Sequence, residues 1–237
     1  KTREDTNNKW NQELAKIEIE SLSLDDKKTF YSALYHTNLS PILYEDVDGK
    51  YRGLDQNIYT SDGFTNSTIF SLWDTFRATH PLFTILEPDI TSGFIRTFIR
   101  QYEQGGILPV WELAANETGT MIGYHSVSVI ADAFNKGIRN YDVNKALSAM
   151  VNSADQKHLG LLHFQELGYI PASEEDASVS KTLEYAYDDW CISSMAKNMG
   201  IDTLSDRFLK RAQNYKNLFD PSTGFMRAKM GSQWFEP

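Results

Sequence analysis

The sequence predicts an all-α protein, and three observations lead to that prediction. Apolar residues recur at the three- and four-residue spacing of amphipathic helices along much of the 237-residue chain. Glycines that end helical segments recur 31 or 32 residues apart, at Gly105, Gly137, Gly168, Gly200 and Gly231. No long strand-rich stretch competes with these segments. A helical unit repeated at this spacing is typical of stacked helix pairs, as in solenoids or closed toroids.

Two helices are predicted at the start of the chain. Residues 1–20 carry an apolar stripe at helical spacing, formed by Trp10, Leu14 and Ile17. Ser23, with Asp26 three positions later, has the pattern of a capping box and indicates the start of the second helix. We expect that helix to end near Pro41.

A segment rich in turn residues, 44–68, follows and predicts a long loop or a short hairpin around Asp48-Gly49. Pro81 then predicts a helix break in the two residues before it. The remaining helices are predicted at 89–103, 120–136, 143–154, 159–167, 178–199 and 203–218. Thr118 or Thr120 is expected to cap the second of these, because a hydroxyl accepts hydrogen bonds from first-turn N–H groups.

Composition excludes several classes of function. The net charge of −9, without any basic block, argues against a nucleic-acid partner. No run of eighteen apolar residues occurs, so no membrane partner is expected. Cys191 is the only cysteine, which excludes a disulfide within the chain and predicts a core residue. None of the five histidines pair at the spacing of a zinc hydrolase motif.

Trp73, Asp74 and Arg77 lie in one helical stretch, with Asp74 and Arg77 on a shared face. Two interpretations remain open. The first is a local ion pair that covers a core tryptophan. In the second, the carboxylate and the guanidinium hold the hydroxyls of a ligand that stacks near the indole.

A polar loop starts at Gly105 and carries Trp111, Glu112 and Glu117. Loops held by a rigid scaffold often carry function, so this loop is a candidate for one wall of a pocket. The alternative is a connecting loop whose tryptophan fills the core.

Asp188 and Asp189 form a further acidic cluster inside an otherwise apolar helix. Adjacent helical residues point about 100° apart, so we expect one of the two at most to face a pocket and the other to be a solvent-exposed or capping group. Carboxylates among aromatic residues on a helical scaffold fit glycoside chemistry, in which two carboxylic acids flank the scissile bond.

Four segments resemble glycoside hydrolase family 92. They are SLWDTFRATHPL at 71–82, GGILPVWELAANETGTMIGYHSVSVIADAFNKGI at 105–138, LEYAYDDWCISSMAKNMG at 183–200 and FDPSTGFMRAK at 219–229. The resemblance implies an exo-acting, calcium-dependent α-mannosidase that inverts configuration. It also implies a catalytic domain built as an (α/α)6 toroid of helix pairs, preceded by a β-sandwich.

The sequence departs from the family pattern in its length. The family's general acid belongs to an E-x-N-x-x-Q-Y segment and its general base to an N-D-D-x-G-x-x-S-x-W segment, and neither occurs here. The resemblance therefore implies that both catalytic residues, and most calcium ligands, lie downstream of Pro237. We expect residues 1–22 to form a leading helix or linker and 23–237 to form the N-terminal portion of the toroid. The isolated chain is then expected to be inactive.

By the same resemblance, Asp74 matches the aspartate of the family's W-D motif and is expected to bind mannose hydroxyls. Trp73 and Arg77 are candidates for its support or for the leaving-group side of the pocket. The other substrate-binding candidates are Trp111, Glu112, Glu117 and His125.

Two alternatives stay open. One is a non-catalytic helical module that binds sugar or serves as a scaffold. The other is a different toroidal glycosidase, acting on glucosides, with its acid and base among Glu112, Glu117, Asp188 and Asp189. Within the family interpretation, the expected substrates are α-1,2-type linkages of N-glycans or mannans. The resemblance also implies a secreted, periplasmic or cell-surface protein.

Overall fold

A computed structural model of the chain describes residues 1–20 and 23–235 and is about 53% helical. The chain divides into two compact units, Lys1–Ile42 and Leu43–Pro237. The predicted helical class is confirmed, and short antiparallel strand pairs accompany the helices.

The predicted boundary between residues 22 and 23 falls beside residues 21 and 22, which lie outside the described residues. The division into a leading segment and a domain therefore stays a prediction.

The first unit contains two helices, α1 at Thr2–Leu14 and α2 at Leu24–Thr37. The helix predicted over residues 1–20 is too long, because α1 ends before Ile17. The start of α2 is confirmed. The Ser23 hydroxyl accepts a hydrogen bond of 3.2 Å from the backbone N–H of Asp26, which satisfies one of the free donors of the first turn.

The second unit is built mainly from helices. They are α3 Leu72–Thr75, α4 Thr79–Leu86, α5 Pro88–Gly105, α6 Ser126–Asn135, α7 Val143–Ala154, α8 Leu161–Leu167, α9 Ser178–Asn198 and α10 Asp202–Arg211. A 3₁₀ helix over Ala212–Leu218 continues α10. The strands along the chain are β1 Ile42–Leu43, β2 Lys50–Arg52, β3 Ile58–Thr60, β4 Ser67–Thr68, β5 Phe70–Ser71, β6 Trp111–Glu112, β7 Phe219–Asp220, β8 Phe225–Met226, β9 Lys229–Met230 and β10 Gln233–Trp234.

Helix α9 lies at the centre of this unit and packs against α6, α7, α10 and the 3₁₀ helix. Cys191 is a buried residue of α9 with a free thiol, so its prediction as a core residue is confirmed. Helix α5 packs against α4, α6 and α7 and turns Phe94, Phe98 and Ile99 inward, as predicted. The hydrophobic core therefore continues from one helix pair to the next.

The prediction for Pro81 is wrong. The chain leaves the helical conformation earlier, between the end of α3 and the start of α4 at Thr79. Pro81 is the third residue of α4, where a backbone N–H has no partner within the helix. A proline in the first turn therefore costs no hydrogen bond and continues the helix.

The helix predicted over 120–136 begins only at Ser126, and no side chain within residues 1–20 and 23–235 caps it. Gly119 and Gly123 adopt φ of +60° and +83°, which a helix does not allow. The Thr118 hydroxyl donates to the carbonyl of Trp111 at 2.9 Å instead of capping the helix.

The hairpin predicted in segment 44–68 forms, but not around Asp48-Gly49. Strands β2 and β3 pair with Tyr51 opposite Tyr59, and the turn between them runs from Gly53 to Asn57. Asp48-Gly49 belongs to the tight turn that precedes β2.

The glycine repeat coincides with helix ends only in part. Gly137, Gly168 and Gly200 follow helices with φ between +75° and +88°, as a helix-ending glycine does. Gly231 instead lies in the turn between β9 and β10. The spacing therefore marks helical units through α9 and loses that meaning near the end of the chain.

His80 is a buried, uncharged histidine in this core. It is 1% exposed, and neither ring nitrogen has a hydrogen-bond partner among residues 1–20 and 23–235. Its ring faces Phe94 edge-on at 5.7 Å. Burial lowers the pKa of His80 from 6.5 to about 4.

We predict that His80 makes the protein acid-sensitive. Between pH 6.5 and about 4 the unfolded chain takes up a proton at this position and the folded chain does not, so stability falls as pH decreases. The loss from this one group is about 3 kcal/mol at pH 4. Urea unfolding between pH 7 and pH 4 should show a smaller loss in the free energy of unfolding for His80→Leu than for the wild type. Replacement of the exposed His158 by leucine is the control, and its free energy of unfolding should change with pH as in the wild type. Equal slopes in all three proteins would contradict the prediction.

Candidate functional site

The short antiparallel pair β5–β6 joins the two segments that sequence analysis singled out. Its register places Ser71 opposite Trp111, so the loop after α5 lies beside the single turn α3. The Ser71 hydroxyl donates to the carboxylate of Asp74, which is exposed. Trp73 is half-buried, and its indole nitrogen has no hydrogen-bond partner within the described residues. Trp73, Asp74 and Trp111 therefore belong to one neighbourhood.

Of the two interpretations of Asp74 and Arg77, the local ion pair does not form among the described residues. Arg77 bonds instead to Glu184 of α9, with 2.8 Å between Nη2 and Oε1. The guanidinium carbon also lies 4.5 Å from the centroid of the Phe76 ring. Arg77 remains 54% exposed and Glu184 19% exposed, so both can meet a ligand.

His125 lies directly before α6 and is 1% exposed. Its ring stacks on Phe76 at 4.0 Å, with 14° between the planes. Nδ1 lies 2.9 Å from Oδ1 of Asp188, while Nε2 lies 3.3 Å from Oε2 of Glu184 without hydrogen-bond geometry. Burial opposes the charged form, but the carboxylates of Asp188 and Glu184 outweigh it and raise the pKa of His125. Arg77 and His125 thus meet at Glu184.

Glu184 was not singled out by sequence analysis. Its signal was present, because Glu184 precedes Asp188 by four residues and shares a face of α9 with it.

The two glutamates of the loop accept hydrogen bonds that hold the loop itself. Glu117 accepts from the backbone N–H groups of Val110 at 2.8 Å, Trp111 at 3.0 Å and Gly119 at 2.9 Å. These bonds use both carboxylate oxygens of Glu117. The assignment of the two glutamates to sugar binding stays a prediction.

Glu112 is buried, with 1% of its surface exposed. It accepts from the Thr68 hydroxyl at 2.9 Å and from the backbone N–H of Ala115 at 2.8 Å. Burial raises the pKa of the Glu112 carboxyl, against the effect of these hydrogen bonds.

Asp188 and Asp189 are both fully buried, so the solvent-exposed alternative is wrong for both of them. Each has its own partners. The Tyr124 backbone N–H donates to Asp188 at 2.7 Å, and the Tyr124 hydroxyl donates to Asp189 at 2.6 Å. Arg211 of α10 binds both oxygens of Asp189, at 2.7 and 2.9 Å. Because the helix geometry separates the two side chains, Asp188 meets the backbone of Tyr124 while Asp189 meets its hydroxyl and Arg211.

No three His, Cys, Asp or Glu side chains in residues 1–20 and 23–235 are placed to hold a metal ion.

The sequence matches the Glycosyl hydrolase family 92 catalytic domain over residues 1–237. The chain belongs to glycoside hydrolase family 92. The resemblance drawn from its motifs is confirmed.

Two solved family 92 enzymes from Bacteroides thetaiotaomicron have closely similar structures. The α-mannosidase BT3965 is 41% identical, with a TM-score of 0.93 over 96% of this chain and 31% of its own. BT3965 has also been solved in complex with mannoimidazole. The inverting mannosidase BT2199 is 35% identical, with a TM-score of 0.92 over 98% of this chain and 33% of its own.

Among curated proteins, an uncharacterized secreted glycosidase of Arthroderma benhamiae is 27% identical over 249 residues, which cover 97% of this chain and 28% of that protein. This family 92 chain thus spans about a third of the length of its relatives. None of the helices in the described ranges is both long and apolar enough to cross a membrane.

We predict that Arg211 is a main source of stability in this chain. Arg211→Met leaves Asp189 buried without a cation, and we expect a loss of about 3–5 kcal/mol in the free energy of unfolding. Arg207→Met is the matched control, because Arg207 is 45% exposed and pairs with Asp155 at the surface. Its loss should stay below about 1 kcal/mol in the same urea titration. Similar losses in the two variants would contradict this assignment.

We also predict that Gly123 is required by the His125 ring. A Cβ atom at Gly123 would lie 2.3 Å from Nε2 of His125, whereas a Cβ at Gly137 would meet nothing within 4 Å. Both glycines have positive φ, +83° and +88°. Gly137→Ala should cost about 1–2 kcal/mol of stability, and Gly123→Ala about 1–3 kcal/mol more. Equal melting temperatures for the two variants would show that the close approach does not matter.

Proposed function

We propose that this chain is the first part of the catalytic domain of an exo-acting α-mannosidase that inverts configuration. The observation that carries the proposal is the family 92 match over residues 1–237, together with the likeness to two mannosidases of that family. The proposed substrates are mannose-containing glycans, with α-1,2-type linkages of N-glycans or mannans as the first choice.

In the proposed enzyme this chain supplies one side of the sugar pocket. Asp74 is an exposed carboxylate, oriented by Ser71 and adjacent to the Trp73 indole. It binds mannose hydroxyls, and the exposed guanidinium of Arg77 supplies further donors. Binding energy at such positions orients the sugar relative to the reacting groups.

The general acid and general base of the proposed enzyme lie downstream of Pro237. An inverting glycosidase holds these two carboxyl groups roughly 6.5–9.5 Å apart, with a water molecule between the base and the sugar. Calcium is part of the proposal through the family resemblance, with its ligands mostly outside this chain. The residues of this chain bind and orient the substrate, and the chain alone is inactive.

An (α/α)6 toroid is the proposed architecture of the complete domain. Three successive helix pairs support it, because α4 packs on α5, α6 on α7 and α9 on α10. The remaining helix pairs and an N-terminal β-sandwich complete the proposed enzyme. We further propose export from the cytoplasm, which is supported by the secreted glycosidase of Arthroderma benhamiae.

A glucosidase with its acid and base among the four alternative carboxylates is not favoured. Both oxygens of Glu117 accept backbone hydrogen bonds, and Glu112, Asp188 and Asp189 are buried against partners within the fold. An assay for α-mannosidase activity distinguishes the proposed enzyme from the alternative, a non-catalytic sugar-binding module or scaffold.

We predict that α-mannobioside hydrolysis requires the longer protein. An assay should compare the 237-residue chain with that protein, each with and without a calcium chelator. Activity in the longer protein alone, lost on chelation, is the expected result. Activity in the short chain would contradict the proposal. Glu112, Glu117 and Asp189 would then be the first candidates for the catalytic residues. Inactivity of both proteins on every mannoside would favour the non-catalytic module.

Within the active protein, Asp74→Asn should lower kcat/KM by about 10–100-fold, the value of a charged hydrogen bond to the substrate. Asp62→Asn, at an exposed position outside the contacts of the site, is the control and should leave kcat/KM unchanged.

A further inference from the structure

We propose that His125 is a positioning residue, which closes a ring of contacts through Glu184, Arg77 and Phe76 and thereby fixes the turn that carries Trp73 and Asp74. The effect on sugar binding rests on the proposed function, whereas the ring of contacts does not.

The contacts form a closed circuit. His125 stacks on Phe76 at 4.0 Å, and Arg77 follows Phe76 directly in the chain. Arg77 binds Glu184 at 2.8 Å, and Glu184 lies 3.3 Å from Nε2 of His125. We call these four residues the clamp. It connects the end of α3 to α9 through both an aromatic stack and an ionic contact.

The position of His125 within the clamp is itself fixed. Asp188 accepts the backbone N–H of Tyr124 with one oxygen and contacts Nδ1 of His125 with the other, at 2.7 and 2.9 Å. Gly123 lies so close to the ring that it leaves no room for a Cβ atom. Asp188 therefore holds the imidazole at Nδ1, while Gly123 closes off the space beside the edge of the ring that carries Nε2.

Leu72 anchors the start of the turn in the core and Ser71 bonds to Asp74, whereas the end of the turn, at Phe76 and Arg77, contacts His125 and Glu184. Helix α3 is a single turn of four residues, and no side chain in the described part of the chain caps it. The ion pair between Arg77 and Glu184 is partly exposed, and exposed pairs alone contribute little. The imidazole beside Glu184 restrains that carboxylate, and its stacked ring restrains Phe76 independently.

Arg77 and His125 alternate with two acidic side chains, Glu184 and Asp188. These carboxylates raise the pKa of His125 in spite of its burial. With 1% of its surface exposed, His125 acts on the sugar through the turn rather than by direct contact.

The first test measures the turn without any ligand. Hydrogen–deuterium exchange of residues 72–78 should be about tenfold faster in His125→Phe, which keeps the ring on Phe76 but removes both nitrogens. Glu184→Gln, whose side chain can still bond to Arg77, should show a similar increase in the exchange rate of residues 72–78. This second variant keeps the test decisive if His125→Phe does not fold. Residues 143–154 should keep their wild-type rate in both.

Ile130→Val is the matched control, because it loosens the buried face of α6 without touching the clamp. It should leave exchange in residues 72–78 unchanged. If His125→Phe and Glu184→Gln accelerate residues 72–78 no more than residues 143–154, the clamp does not position the turn and the proposal is overturned.

The second test measures the effect on the sugar site in the longer protein, at a temperature well below unfolding. Mannoimidazole, the ligand of a solved relative, serves as the probe. His125→Phe and Glu184→Gln should each raise the Kd of the probe about tenfold. The double variant should bind the probe no more weakly than either single variant. Unchanged Kd values with a loss of thermal stability alone would show a merely structural role and overturn the proposal. Failure of the wild-type protein to bind the probe would instead contradict the proposed function, while the exchange experiment still decides on the clamp.

Discussion

Burial of two adjacent carboxylates on α9 is the constraint on which the rest of this structure depends. Asp188 and Asp189 are both inaccessible to solvent, and an unpaired charge in such a position costs several kcal/mol. Tyr124 contacts both, with its backbone N–H on one and its hydroxyl on the other. The loop before α6 therefore cannot move without exposing or unpairing a carboxylate.

From these two residues, fixed contacts extend in opposite directions. Asp189 binds Arg211, which also donates to Asp155 and to the carbonyl of Ala154 at the end of α7. Asp188 orients His125, whose ring supports Phe76. A single dipeptide thus connects the helix packing on one side with the candidate sugar site on the other.

The sequence predicted what depends on local pattern. Helices α5, α7 and α9 follow from apolar periodicity, and their bounds agree with prediction within two residues. The role of Pro81 and the late start of α6 were not predicted. A proline fits the first turn of a helix but breaks its interior, so its effect depends on where the helix begins. The glycines before α6 adopt positive φ, which a spacing pattern does not reveal. The partners of Asp188 and Asp189 were missed for a different reason: Tyr124 and Arg211 lie 64 and 22 residues away along the chain, beyond the reach of spacing rules.

The candidate site shows the same limit at the level of chemistry. A carboxylate in a polar loop looks alike in sequence whether it meets a sugar or the backbone, and Glu117 turns out to accept three backbone N–H groups. Asp74 and Arg77 differ because they remain exposed. They belong to α3, a helix of four residues, and to the residues just after it, so contacts with other elements contribute to their geometry. The buried carboxylates of α9 hold the residues that pack on the turn, and the exposed side chains of the turn can meet a ligand.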